Sequence, residues 1–133
     1  MFNIDKDNKI TITRGDDSGF VPLFINKGTD SFPLRYVLKD DDRVYVGVFQ
    51  PSGKFEQALI KKIYTKDNLN LDGDVLISFD SSDTIGLKAG LYFYQVKIKT
   101  LETNIYDVGE WPTEDGKIFV NTVIGQTTFN IIE

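Results

Sequence analysis

The sequence predicts an all-β fold built as a sandwich or barrel, and three observations carry that expectation. Apolar residues alternate with polar ones at a period of two along nearly the whole chain. Clusters of Gly, Asp, Asn and Ser separate the alternating runs. No apolar stripe at helical spacing extends beyond about one turn, except in one ambiguous segment.

Taken in order, "KITIT" places Ile10 and Ile12 on one face. "RVYVGVF" sets Val44, Val46 and Val48 against Tyr45 and Phe49. "EQALIKKIYTKD" is the ambiguous segment, with Ala58, Leu59 and Ile63 at helical spacing. Its β-branched and aromatic end favours a strand with a bulge over a short helix. "DVLISF" aligns Val75, Ile77 and Phe79. "SSDTIGL" fits a single helical turn with Ser82 or Asp83 as its cap. "LYFYQVKIK" sets Tyr92, Tyr94, Val96 and Ile98 against Phe93, Gln95, Lys97 and Lys99. "TTFNII" closes the chain with Phe129 and Ile131 aligned.

The stretch "TIGLKAGLYFYQVKI", residues 84–98, narrows the fold. In a Greek-key sandwich the chain crosses between sheets, and a Tyr early in the second strand hydrogen-bonds to backbone a few residues upstream. Leu87 would plug this crossing, Gly90 would take a backbone conformation other residues disfavour, and Tyr92 would bury its ring with a partner for its hydroxyl. The alternative is an ordinary strand that carries tyrosines. The spacing and the strand just upstream favour the corner.

Composition limits the function. A chain of 133 residues is expected to form one domain, residues 1–133, that folds without a metal or disulfide. It contains neither Cys nor His, which excludes thiolate chemistry, a Ser-His-Asp triad and the usual catalytic zinc. A net charge of −5 argues against nucleic acid as a partner. The amino terminus "MFNIDKDNKI" has no apolar run, so no signal peptide is expected, and no stretch is apolar enough for membrane insertion.

The segments "ITITRGDDSGF", "DDRVYVGVF", "LIKKIYT", "DVLISFDSSDTIGLKAGLYFYQVKI" and "VNTVIGQTTFNI" carry a family resemblance in that order. The chain resembles the amino-terminal immunoglobulin-like domain of phage baseplate upper proteins of Gram-positive hosts and of related prophage proteins. The closest local match is Asp83, Thr84, Leu87, Gly90, Tyr92, Tyr94 and Val96, followed by the ending from Thr122 to Phe129. The resemblance implies an immunoglobulin-like Greek-key sandwich that docks a tail-tip protein. It also implies a place in the virion after synthesis in the bacterial cytoplasm. Its partners would be other phage structural proteins or a second copy of the chain. Residues 102–118 depart from the pattern as a long insertion between late strands. The end at "FNIIE" fits an excised domain or a short free-standing reading frame.

Other motifs are read as structure. Arg14, Gly15 and Asp16 match the integrin-binding tripeptide but lead into plain turn chemistry. Lys39–Asp42 and Asp67–Asp74 resemble calcium ligands, yet Asp-Gly between strands is a hairpin signal and the EF-hand spacing fails. No metal or other cofactor is expected. The 20 acidic residues fall in no catalytic motif, so the chain is read as non-enzymatic. Trp111, Tyr106 and Pro112 lie on the insertion. A sugar-stacking role for Trp111 supports the alternative function, a carbohydrate- or cell-surface-binding module. The competing expectation is that Trp111 folds back onto the sandwich. Period two sends Tyr45, Phe49 and Phe93 to the face opposite the valines, where three aromatics suit no solvated surface. They predict an interaction patch of Tyr45, Phe49, Phe93 and Trp111, or a covering in which the insertion is a lid rather than a binding loop.

Overall fold

A computed structural model describes residues 1–100, 111–112 and 121–133. Eight strands dominate: β1 Phe2–Ile4, β2 Ile10–Thr13, β3 Val21–Leu23, β4 Arg43–Phe49, β5 Ile60–Tyr64, β6 Val75–Ile77, β7 Gly90–Lys99 and β8 Asn121–Ile132. One helical turn, α1 Ser81–Thr84, precedes β7. The chain is all-β, as its alternation predicts, and sandwich-like. A six-stranded mixed sheet runs in the order β1-β2-β8-β7-β4-β5, and β3 and β6 form a small second sheet. All pairs are antiparallel except β2 with β8, where Ile10–Thr13 lies beside Phe129–Ile132 in parallel.

The alternating residues fill one core between these sheets. Ile10, Ile12, Val44, Val46, Val48, Tyr94, Val96, Phe129 and Ile131 from the large sheet are buried together with Leu23, Val75 and Ile77 from the small one. Phe129 sits at the centre, its ring 5.1 Å from Phe79 and 6.2 Å from Tyr94. Gly125 lies where β8 slips register: Tyr94 pairs with Thr127, while Val96 pairs with Ile124. Two steps on β7 therefore face three on β8, and glycine suits such a bulge.

Several local expectations are corrected. The 56–67 segment is a strand as favoured, but no bulge interrupts the register from Val44↔Tyr64 to Val48↔Ile60. Its irregularity lies in flanking 3-10 turns at Phe55–Gln57 and Lys66–Asn68. The cap of α1 is Asp80, one residue before the turn, and not Ser82 or Asp83. Asp83 instead reaches back, its carboxylate accepting the Asp80 N–H at 2.7 Å, the reciprocal half of a capping box. Lys99 belongs to no polar outer face, because it is 1% exposed.

Two core tyrosines, Tyr64 and Tyr94, place their hydroxyls on backbone. Tyr64 donates to the Ser78 carbonyl at 3.2 Å and accepts the Ser78 N–H at 3.1 Å, tying β5 to the end of β6 across the sandwich. Tyr94 donates to the Asn8 carbonyl. Burial, and secondarily the nearby Asp5 charge, pushes the Tyr94 phenol above its ordinary value. Burial also raises Tyr64. Both phenols thus stay protonated in the fold at pH values where the unfolded chain ionises. Their contribution is intact below about pH 10 and declines as pH rises toward the folded-state values. Alkaline titration of the melting temperature should show this fall, and Tyr94→Phe should flatten it. An unchanged slope in Tyr94→Phe would refute the assignment.

Candidate interaction surface

The corner at the head of β7 is built from four residues. Gly90 has φ of 150°, a value that favours glycine. That turn directs Tyr92 back along the chain, and its hydroxyl donates to the Lys88 carbonyl at 2.8 Å. The Tyr92 ring is buried, and Leu87 packs against the main core as a partly buried residue. Just upstream, Thr84 is wholly buried and its Oγ1 accepts the Gly15 N–H at 2.8 Å. The corner, α1 and the β2–β3 connection thus lock one another. Tyr92→Phe should cost about 1 kcal/mol in chemical denaturation, the usual net worth of one hydrogen bond. No measurable loss would mean that water satisfies the Lys88 carbonyl equally well.

On the outer face of the large sheet, period two delivers Tyr45 and Phe49 opposite the valines, as expected. Of the two expectations for them, their burial fits the covered face. Tyr45 is 0% and Phe49 3% exposed, so neither belongs to an open patch. Phe55, from a 3-10 turn, joins them in a second apolar cluster flanked by Phe93 and Trp111. Trp111 stacks on Phe55 at 4.8 Å with an interplanar angle of 23°, meets Tyr45 edge-on at 5.5 Å, and donates its indole N–H to the Phe55 carbonyl at 3.1 Å. Phe93 lies 6.5 Å from Phe49 and is half-buried. The Lys97 ammonium sits 4.6 Å above the Phe55 ring and the Lys61 ammonium 5.8 Å from Trp111. Both stems help cover the cluster. Trp111 therefore acts as a lid over β4, and its ring is engaged within the chain. Pro112, the next residue, is buried, and the other insertion residues, Tyr106 among them, lie outside the described residues.

Phe55 and Gly47 escaped the sequence reading. A glycine inside a valine-rich strand was the available signal, since it marks close approach by another group. A methyl on Gly47 would lie 2.7 Å from the Phe55 ring and 2.8 Å from the Trp111 ring.

The remaining motif residues are occupied structurally. Gly15 sits at φ 84°, Arg14 pairs with Glu133 at 3.5 Å, and Asp16 pairs with the terminal ammonium. In the 67–74 stretch, the Asn70 side-chain oxygen accepts the N–H groups of Asp72 and Asp74, and Asp74 pairs with Arg35 at 2.9 Å. Asp42 accepts from the Tyr36 hydroxyl and the Lys39 N–H. No group of three metal-ligating side chains occurs among the described residues. Among them, too, no helix is long and apolar enough to cross a membrane.

Large apolar side chains are exposed elsewhere, around the small sheet. Phe32 is 80% and Phe20 76% exposed, with Phe24, Leu34, Val37 and Leu71 also open. The Arg35 guanidinium lies over the Phe24 ring at 5.1 Å, and Val37 and Arg35 crowd Gly73 in the turn that carries Leu71. The 24–37 segment and the turn carrying Leu71 therefore touch one another. No family model, curated protein or solved structure matches the chain.

Proposed function

We propose that the chain is an immunoglobulin-like domain of a phage or prophage baseplate or tail tip. It acts without catalysis, by protein–protein assembly. The strand order supports the fold: β4, β7 and β8 correspond to C, F and G, β5 to C′, and β3 with β6 to B and E. The Tyr92 corner then falls at the start of the F-equivalent, its place in that architecture. The resemblance of residues 83–98 to baseplate domains points to the role.

One observation carries the assembly reading: the exposed apolar loops around the small sheet, led by Phe20, Phe32 and Leu71. Exposed aromatics and leucines on adjoining loops suit burial by a partner better than permanent hydration. The sugar-binding alternative loses its main support, since Trp111 is stacked on Phe55. Co-expression with the products of adjacent reading frames tests the proposal. The chain should co-purify with a tail protein, and Phe32→Ser with Leu71→Ser should weaken that complex at unchanged melting temperature. Neighbouring frames without tail genes, together with failure to join any complex, would overturn it.

A further inference from the structure

Among the described residues the sandwich is open along one seam. β3 pairs with β6 on one side, and no described strand lies on its other side. Pro22 has no N–H, so the ladder to β6 uses Val21 and Leu23, opposite Ile77 and Val75. The same parity continues at Ile25 and Lys27, whose backbones bond Tyr36 and Leu34. The backbone of Pro22 and Phe24 accordingly turns toward the open edge. Across the seam, β2 covers β8 only over Phe129–Ile132. The earlier part of β8 has β7 as its one partner among the described residues.

A groove of about 660 Å³ lies between these edges, lined by Leu23, Ile25, Tyr94, Ile98, Val123 and Ile124 among others. Every residue from Val21 to Lys27 contributes to it, a run of roughly 20 Å at strand rise. Among the described residues that line it, the charged ones are Lys27 and Lys39, with no carboxylate. Both are exposed, and neither has a carboxylate partner among the described residues. A cationic mouth on a chain of net charge −5 is a local reversal of sign.

We propose that this groove receives an added strand. The occupant is an extended segment of a partner polypeptide, apolar at alternate residues, with a carboxylate that meets Lys27 and Lys39. Its backbone pairs with the open edge of β3, its alternate side chains fill the groove, and its acidic end is held at the mouth. An edge with no strand neighbour among the described residues and the elongated shape suit a peptide backbone, and the two ammonium groups set its charge. This inference rests on the assembly reading for the nature of the partner and adds the site and the mode of docking.

The test titrates the isotope-labelled full chain with a synthetic nonapeptide that alternates valine and threonine and ends in two aspartates. Saturable shifts are expected at the amides of Phe24, Asn26 and Val123. A lysine-ended version should bind about tenfold more weakly. The double variant Lys27→Glu with Lys39→Glu should reverse that preference, and both positions are exposed enough to leave folding intact. N-methylation of every second peptide residue should abolish binding in one parity and spare it in the other, the signature of a paired backbone. No shifts at millimolar peptide, shifts mapping to another strand edge, or indifference to N-methylation parity would each overturn the proposal. A chain that co-purifies with tail proteins yet ignores these peptides loses this site and keeps the assembly reading. A chain that binds the peptides at this groove but joins no complex keeps the site and loses that reading.

Discussion

Phe129→Ala is expected to cost about 3–5 kcal/mol, the range for deleting a fully buried phenylalanine. The ring is 0% exposed and meets both Phe79 and Tyr94, so its loss opens a void that strands from both sheets border. Such a loss is a large share of a domain's net stability of roughly 5–15 kcal/mol. Urea denaturation should register it as a lower midpoint at a similar slope. A loss under about 1 kcal/mol would mean that Phe129 does not seal the two sheets, and that the β7–β8 register is different.

The second large effect is expected at Gly47. Gly47→Val inserts bulk where even a methyl falls within 3 Å of the Phe55 and Trp111 rings. Overpacking of this kind costs about 1–3 kcal/mol. The rings have an alternative, which is to lift from the sheet into water. Trp111 is the only tryptophan, so its fluorescence reports that choice directly. A red-shifted emission with lowered stability is the expected outcome. Unchanged emission and stability would show that Trp111 does not rest on β4.

The core was legible where a single strand determines it. Val44, Val46 and Val48 share a face because the pleat alternates, and no distant residue alters that. Tyr92 was legible for the same reason, since its partner carbonyl is only four residues upstream. What covers the opposite face was legible only in part: a lid carrying Trp111 stood as one of two expectations, while Phe55 gave no sign. Tyr45 and Phe49 are plainly aromatic in the sequence, but their lid comes from Phe55 and from Trp111, 66 residues beyond Tyr45. Lys99 reads as a surface residue in a period-two pattern, yet it is buried at the end of β7. The groove was not legible at all. Among the described residues β3 has one strand neighbour and β8 is only partly covered, and pairing is a property of the sheet rather than of any one segment.

The parallel pairing of β2 with β8 has a mechanical consequence. Tension applied to the two ends of the chain pulls β2 and β8 in opposite directions along their common axis. Their hydrogen bonds, joined by that of the Arg14 N–H to the Ile132 carbonyl, are then loaded together in shear rather than opened one at a time. The short antiparallel β1–β2 pair is loaded like a zipper and should peel first, at low force. Extension should therefore begin with a small yielding step and end in one abrupt rupture of the whole sandwich. A domain wired in this way holds its two ends together under load until the whole sandwich gives way.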